Sequence, residues 1–370
     1  MPSSKTLRPA ALLLTLGALA APLSGLTARA DAAPALKTEL RKLVHDGVPG
    51  ATVLVRDDNR TTVLTAGRSS LKPRAAMRKN VRFRVGSITK PMVATVVLQL
   101  VQEGRLTLDQ SAASLLGDLV ADKRITVRDL LAHTSGISEY TEDPRVFAPY
   151  LKGEFGHVWT PQQLIGFAEE HPPVFAPGAD SDYSNTNYVL LGLIVEKVTG
   201  TTLGRQIRTR VFDPLHMSAS SFATRPRIRG PHMNGYLIGD GNQLLNVTGV
   251  SPSVYWGAGN VISTTRDVAD FLDGLLAGKL LPPGLLAQMS DFAPMYPGFE
   301  YGLGLSRETL PCGTGVGHGG AVAGYLSEAV KMEDGRTVVV AANSITLDDK
   351  VGDKRAQRQY RRLLILAACG

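Results

Sequence analysis

The chain has 370 residues, of which 44% are hydrophobic and 20% charged, and its formal net charge is +7 at pH 7. Residues 1–30 carry three of the positive charges and no acidic residue, which leaves +4 on the remainder. That mild excess fits attraction to an anionic cell envelope and does not call for a nucleic-acid partner.

The first segment, residues 1–30, is typical of a secretory signal peptide. Lys5 and Arg8 form a basic start, an apolar run extends from Ala10 to Leu26, and Ala28-Arg29-Ala30 matches an A-x-A cleavage site. The apolar run is too short and too interrupted for a membrane span, and no other stretch approaches the needed length. We therefore expect a secreted mature protein without an integral membrane span.

Hydrophobic spacing predicts the elements of the mature chain in order. A helix over 36–44 precedes two β-rich runs at 51–56 and 61–65, which indicate a hairpin, and a third strand at 81–85. The pattern is then mostly helical to about residue 252. The later predicted elements are helices over 187–198 and 264–276, strands over 301–306, 329–332 and 337–342, and a helix over 351–368.

Strands near both ends and helices between them predict an α+β fold. We expect one antiparallel sheet, built from residues 31–86 and 255–370 and flanked by the first and last helices. The mostly helical residues 87–254 form an inserted region in this interpretation. The crevice between the two regions is the expected place for an active site.

The predicted junction between the 81–85 strand and the next helix carries Ser87 and Lys90. Residues three apart share one face of a helix, so the Lys90 amine can lie beside the Ser87 hydroxyl. A lysine in a dry pocket loses its proton near neutral pH and can activate a serine nucleophile. An S-x-x-K pattern also arises by chance, and its position at a helix start favours the functional interpretation.

Two further motifs have the chemistry to complete such a site. Tyr183 can shuttle a proton beside a cation, and the Asn185 amide can both donate to and accept from a substrate amide. His318, among glycines between two β-like runs, can bond to the tyrosine and help protonate a leaving amine. Taken alone, a loop tyrosine is more often a packing residue, and a histidine among glycines is more often a turn residue.

In combination these patterns resemble the penicillin-recognising serine hydrolases, whose motifs are S-x-x-K, Y-x-N and K-T-G or H-[TS]-G. They stand here as Ser87-Ile-Thr-Lys90, Tyr183-Ser-Asn185 and His318-Gly-Gly320. The likeness extends from about residue 35 to the C-terminus. It is greatest to exported actinomycete D-alanyl-D-alanine carboxypeptidases, which group with class C β-lactamases. It implies a β-lactamase/transpeptidase-like fold and neither a metal nor an organic cofactor.

The resemblance also implies a role for each motif residue. Ser87 is acylated, and Lys90 and Tyr183 share the work of the base. Tyr183 and His318 then return a proton to the leaving nitrogen, while Asn185 binds the substrate side-chain amide. These roles are expectations for this chain.

The resemblance places the oxyanion hole at the backbone N–H groups of Ser87 and Ala321, with Gly319 and Gly320 beside the substrate. Carboxypeptidase relatives carry hydroxyl residues directly after the histidine and two positions further on, where they hold a substrate carboxylate. Here Gly319 and Ala321 occupy those places. Arg307, the candidate cationic anchor, is shifted by one position. These departures leave the nucleophile intact and put the substrate class in question.

The chain contains two cysteines, Cys312 and Cys369. In an exported protein such a pair is typical of one disulfide, with two buried thiols as the alternative. The spacing of histidines, cysteines and acids does not match a metal site. The basic run within residues 354–362 is interpreted as the solvated face of the last helix and not as a nucleic-acid site.

The sequence therefore predicts a monomeric, secreted serine hydrolase that works through a Ser87 acyl-enzyme. Its first predicted activity is that of a D-alanyl-D-alanine carboxypeptidase, which acts on peptidoglycan-like peptides and binds β-lactams. A β-lactamase or carboxylesterase on the same scaffold is one alternative. A non-catalytic penicillin-binding module is another, and the intact Ser87, Lys90, Tyr183 and Asn185 argue against it.

Overall fold

The computed structural model describes residues 32–57, 60–238, 243–345 and 354–370. The predicted leader, residues 1–30, lies outside these ranges, as does most of the predicted hairpin turn at 57–59. Among the described helices, none combines the length and hydropathy that a membrane span needs.

The described ranges contain eleven α-helices and fifteen β-strands. The helices are α1 (Ala32–His45), α2 (Thr89–Gln102), α3 (Ala112–Leu116), α4 (Val127–Ala132), α5 (Pro144–Leu151), α6 (Pro161–Glu169), α7 (Asn185–Thr199), α8 (Leu203–Ile207), α9 (Thr265–Leu276), α10 (Pro283–Met289) and α11 (Lys354–Cys369). The strands are β1 (Gly50–Arg56), β2 (Thr61–Leu71), β3 (Arg74–Ala76), β4 (Phe83–Arg84), β5 (Ser221–Phe222), β6 (Tyr236–Ile238), β7 (Leu244–Asn246), β8 (Val261–Ser263), β9 (Ala293–Tyr296), β10 (Phe299–Tyr301), β11 (Ser306–Leu310), β12 (Gly313–Val322), β13 (Tyr325–Met332), β14 (Thr337–Ala342) and β15 (Ser344–Ile345).

Nine strands form one antiparallel sheet in the order β3-β2-β1-β14-β13-β12-β11-β10-β9. The sheet joins strands from the two ends of the described chain, because β14 pairs with β1 on one side and β13 on the other. The α+β fold with an antiparallel sheet, predicted from the sequence, is confirmed. Residues 87–254 contain α2 to α8 and also the short strands β5 to β7.

Two hydrophobic layers cover the sheet, and β14 contributes to both. Its side chains alternate between the faces, as expected for a strand. Val338 and Val340 pack in a cluster with residues of α1 and α11, whereas Val339 and Ala341 belong to the larger core that includes α2 and α7. This double burial explains why the strand is apolar from Val338 to Ala342.

Two strand predictions are corrected. In the 81–85 run only β4 is a strand, and it pairs with β8 outside the main sheet. The run reads as apolar because Val81, Phe83 and Val85 are buried in the core. The 301–306 run is divided between β10 and β11, since Gly304 has a φ of +91° that favours a turn there.

His318 lies inside β12, a correction to its expected place between strands. A glycine-rich run can pair as a strand here because the neighbouring backbone comes very close. A Cβ at Gly317 would lie 1.8 Å from the carbonyl oxygen of Ala329 on β13. Only glycine permits that approach.

Cys312 and Cys369 are joined by a disulfide with a Cα–Cα distance of 5.5 Å. The bridge ties the turn between β11 and β12 to the last residue of α11. It therefore links the strand that carries His318 to the helix that covers the other side of the sheet.

Replacing both cysteines with serine should lower the free energy of unfolding by about 4 kcal/mol. The physical reason is that the bridge restricts the unfolded chain over a separation of 57 residues. Denaturation in guanidinium, followed by circular dichroism, measures the change. An unchanged midpoint, or two alkylatable thiols in the non-reduced protein, would contradict it.

Candidate active site

Ser87 lies in a single turn of 3-10 helix, Gly86–Ile88, that leads directly into α2. Gly86 has a φ of +57°, and a Cβ there would lie 2.7 Å from the backbone nitrogen of Ala321. The missing side chain therefore lets the turn approach β12 closely. This approach brings the Ala321 nitrogen beside the turn that carries Ser87, the two residues whose N–H groups were predicted to form the oxyanion hole.

The Lys90 amine is fully buried and joins three separate parts of the chain. Its Nζ lies 3.0 Å from the Ser87 Oγ, 2.6 Å from the Asn185 Oδ1 and 3.1 Å from the carbonyl oxygen of Ala258. Burial lowers its pKa to about 7, and the negative charge of Glu139 acts in the opposite direction. A large fraction of Lys90 is thus neutral at pH 7 and able to accept a proton from Ser87.

The Tyr183 phenol lies beside the same pair. Its ring centroid is 4.7 Å from the Lys90 Nζ, and its hydroxyl interacts electrostatically with Ser87. Burial raises the pKa of Tyr183 well above its usual range, although the interaction with Ser87 acts to lower it. Tyr183 therefore remains a phenol at neutral pH and can relay a proton between Ser87 and a leaving group.

His318 lies near Tyr183, but its hydrogen bonds differ from the predicted ones. The ring centroids are 6.2 Å apart, and the His318 Nε2 is 3.0 Å from the Tyr301 hydroxyl instead. Its Nδ1 bonds to the carbonyl of Gly319, which fixes the proton on that nitrogen and makes Nε2 an acceptor. Burial, followed by the charge of Lys90, lowers the pKa of His318 to about 3.

Two functional candidates, His133 and Glu139, were not predicted as site residues from the sequence. His133 is completely buried, with its ring 4.3 Å from Tyr183 and 4.8 Å from Tyr301 between centroids. Glu139 accepts a hydrogen bond from the backbone N–H of Asn185 and acts electrostatically on Lys90. His133 ends α4 with a φ of +60°. That helix end was the sequence feature that could have drawn attention to His133. For Glu139, a single acid in a loop, the sequence offers none.

Within the described residues, one edge of β12 has no paired strand beyond Gly317, near Ser87. Its pairing with β11 ends at Gly317, and the residues that follow pair with β13. A Cβ at Gly320 would lie 2.0 Å from the carbonyl oxygen of Val85, and one at Gly319 would lie 2.8 Å from the Glu328 carboxyl. There is therefore little room for a side chain at either position.

Arg307 is held apart from the catalytic group. Its Nε and Nη2 donate to the two carboxylate oxygens of Glu300, at 2.6 and 2.9 Å, and its guanidinium lies 4.9 Å from the Phe292 ring centroid. Within the described residues, no hydrogen bond or ion pair joins it to Ser87, Lys90 or Tyr183. Its predicted role as a carboxylate anchor would require it to leave Glu300.

Comparison with known proteins identifies the class to which this site belongs. The family model described as Beta-lactamase matches residues 35–362, and the chain belongs to that family. It is a serine hydrolase with the fold shared by β-lactamases and penicillin-binding proteins.

Three proteins illustrate what the chain is similar to in sequence and structure. A D-stereospecific amidohydrolase from Streptomyces sp. is 38% identical with a TM-score of 0.80, over 89% of this chain and 97% of that one. The D-amino acid amidase of Ochrobactrum anthropi SV3, complexed with D-phenylalanine, is 25% identical with a TM-score of 0.82, over 91% and 98%. Penicillin-binding protein 4 of Amycolatopsis lactamdurans is 29% identical over 80% of each chain.

The rate of acylation of Ser87 should rise with pH through an apparent pKa of about 7, because the neutral form of Lys90 accepts the serine proton. Measured rates of labelling by a fluorescent penicillin, from about pH 5 to pH 9, test this. The same rise of the labelling rate with pH should persist in His318→Gln, since that imidazole is already neutral over the range. A rate that does not change with pH, or a rise that disappears in His318→Gln, would rule out Lys90 as the titrating base.

Proposed function

We propose that the protein is a D-stereospecific amidohydrolase that cleaves an amide next to a D-amino acid bearing a free amine. The observation that carries the proposal is the distribution of charge around Ser87. The buried carboxylate of Glu139 acts electrostatically on Lys90. Arg307, the candidate carboxylate anchor, is neutralised by Glu300. Such a site favours a substrate with an ammonium group over one with a free carboxylate.

The proposed reaction begins with a proton transfer from Ser87 to neutral Lys90, directly or through the Tyr183 phenol. The Ser87 Oγ bonds to the substrate carbonyl carbon, and the N–H groups of Ser87 and Ala321 stabilise the resulting oxyanion. Tyr183 passes the proton to the leaving nitrogen, the C–N bond breaks and the amine departs. Water then attacks the acyl-enzyme by the reverse route and releases the free D-amino acid.

Asn185 has a divided role in this scheme. Its Oδ1 accepts from Lys90 and orients the amine toward Ser87. The opposite Nδ2 group is the part that can donate to a substrate carbonyl. Neutral Lys90 and neutral His318 reduce the positive charge that the substrate ammonium meets.

A D-alanyl-D-alanine carboxypeptidase is the second candidate, supported by the motifs and by similarity to penicillin-binding protein 4. It must hold a free carboxylate, yet positions 319 and 321 carry no hydroxyl. Each missing hydrogen bond to a charged group costs about 1.5–3 kcal/mol. Secretion is proposed with either activity, and it rests on the leader-like residues 1–30 alone.

A parallel substrate panel tests the choice. The protein should hydrolyse D-phenylalanine amide at least about a hundredfold faster than its L-enantiomer, and Ser87→Ala should lose at least about a thousandfold in rate. The other assays use an N-acylated D-Ala-D-Ala peptide, a chromogenic cephalosporin and p-nitrophenyl acetate. Faster turnover of any of these would overturn the amidase in favour of the carboxypeptidase, β-lactamase or esterase, respectively. Covalent penicillin labelling without any turnover would indicate a binding module.

Glu139→Gln should selectively weaken catalysis on substrates with a free amine. The amide oxygen can still accept from the Asn185 N–H, while the negative charge is lost. We expect kcat/KM for D-phenylalanine amide to fall about tenfold relative to its N-acetylated form. Glu103→Gln, just beyond the far end of α2, is the matched control. An equal loss on both substrates would instead assign Glu139 a structural role.

A further inference from the structure

The segment that carries Tyr183 is held almost entirely by contacts with distant residues. Residues 181–184 form neither helix nor strand, so their N–H groups need partners elsewhere. The Asp182 N–H donates to the carbonyl of His133 at 3.0 Å, and the Ser184 N–H donates to the His133 Nδ1 at 3.1 Å. The N–H of Tyr183 itself donates to the Tyr296 hydroxyl at 3.3 Å.

The Tyr296 contact differs from the His133 contacts in its origin. His133 follows α4, on the helical side of the crevice, whereas Tyr296 ends β9 at the edge of the nine-stranded sheet. The Tyr296 hydroxyl also donates to the Asp182 Oδ1 at 3.0 Å. One phenol therefore joins the sheet to two consecutive residues of the Tyr183 segment.

The surroundings of Tyr296 suit a fixed contact. Its ring packs beside Phe299 across the hairpin, with centroids 6.2 Å apart, and Phe299 packs in turn beside Tyr301. Burial raises the pKa of Tyr296 above its usual range, and the nearby Asp182 acts in the same direction. The group therefore stays a phenol that can donate to Asp182 while it accepts from the Tyr183 N–H.

We propose that Tyr296 is a positioning residue for catalysis, which holds Tyr183 from the sheet side of the crevice so that its phenol meets Ser87. This inference rests on the proposed function of Tyr183 as the proton relay. Without the Tyr296 hydroxyl, the N–H groups of residues 182–184 keep only their hydrogen bonds to His133, on the helical side. Small displacements of a relay group strongly reduce the rate of proton transfer.

Tyr296→Phe removes the hydroxyl and keeps the ring. With D-phenylalanine amide as substrate, we expect kcat to fall about tenfold while KM changes less than about twofold. The rate of Ser87 labelling by a fluorescent penicillin should fall by a similar factor. Asp182→Ala should show a smaller loss, and the double variant should lose no more than Tyr296→Phe alone, because both act through one hydroxyl.

Tyr236→Phe is the matched control, since its hydroxyl also accepts a backbone N–H, from Leu71 at 2.8 Å, away from the site. It should retain kcat within about twofold, and thermal unfolding shows whether both variants stay folded. Wild-type kcat and labelling rate in Tyr296→Phe, or an equal loss in Tyr236→Phe, would overturn the proposal. If the unmodified protein fails to hydrolyse the amide but Tyr296→Phe still slows penicillin labelling, the proposed substrate fails and the positioning role stands.

Discussion

The burial of one amine is the constraint on which the rest of the site depends. Lys90 is brought out of water by α2 and meets polar atoms from its own helix start, from the start of α7 and from the turn at Ala258. A buried ammonium without such partners would be strongly destabilising, and the same burial lowers its pKa to about 7. The packing that joins the two regions thus also sets the reactivity of Ser87.

Aromatic rings enclose that amine and determine the electrostatics around it. Each of Tyr183, Tyr301, His133 and His318 is in ring contact with at least two of the others. The same enclosure that keeps water out lowers the pKa values of both imidazoles below their usual range, with burial the main cause. Both histidines are therefore neutral in the working pH range, and their contribution is to shape the site and hold its neighbours in place.

The chemistry of acylation and the choice of substrate are separable in this structure. The proposed nucleophile Ser87 lies in the turn before α2, the proposed base Lys90 on α2 and the proposed relay Tyr183 just before α7. The proposed choice of substrate rests instead on the charge of Glu139 near Lys90 and on the pairing of Arg307 with Glu300. This is the physical basis for preferring an amidase over a carboxypeptidase.

The sequence by itself determined the local parts of this protein. Ser87 and Lys90 lie three residues apart at a helix start, so their contact follows from helix geometry, and periodicity alone predicted the antiparallel sheet and its covering helices. Only the tertiary structure decided that His318 bonds to Tyr301, that Glu139 acts on Lys90 and that the 81–85 run leaves the main sheet. These features join residues far apart in the chain, and such contacts are fixed by how the two regions pack. Local spacing carries no information about that packing.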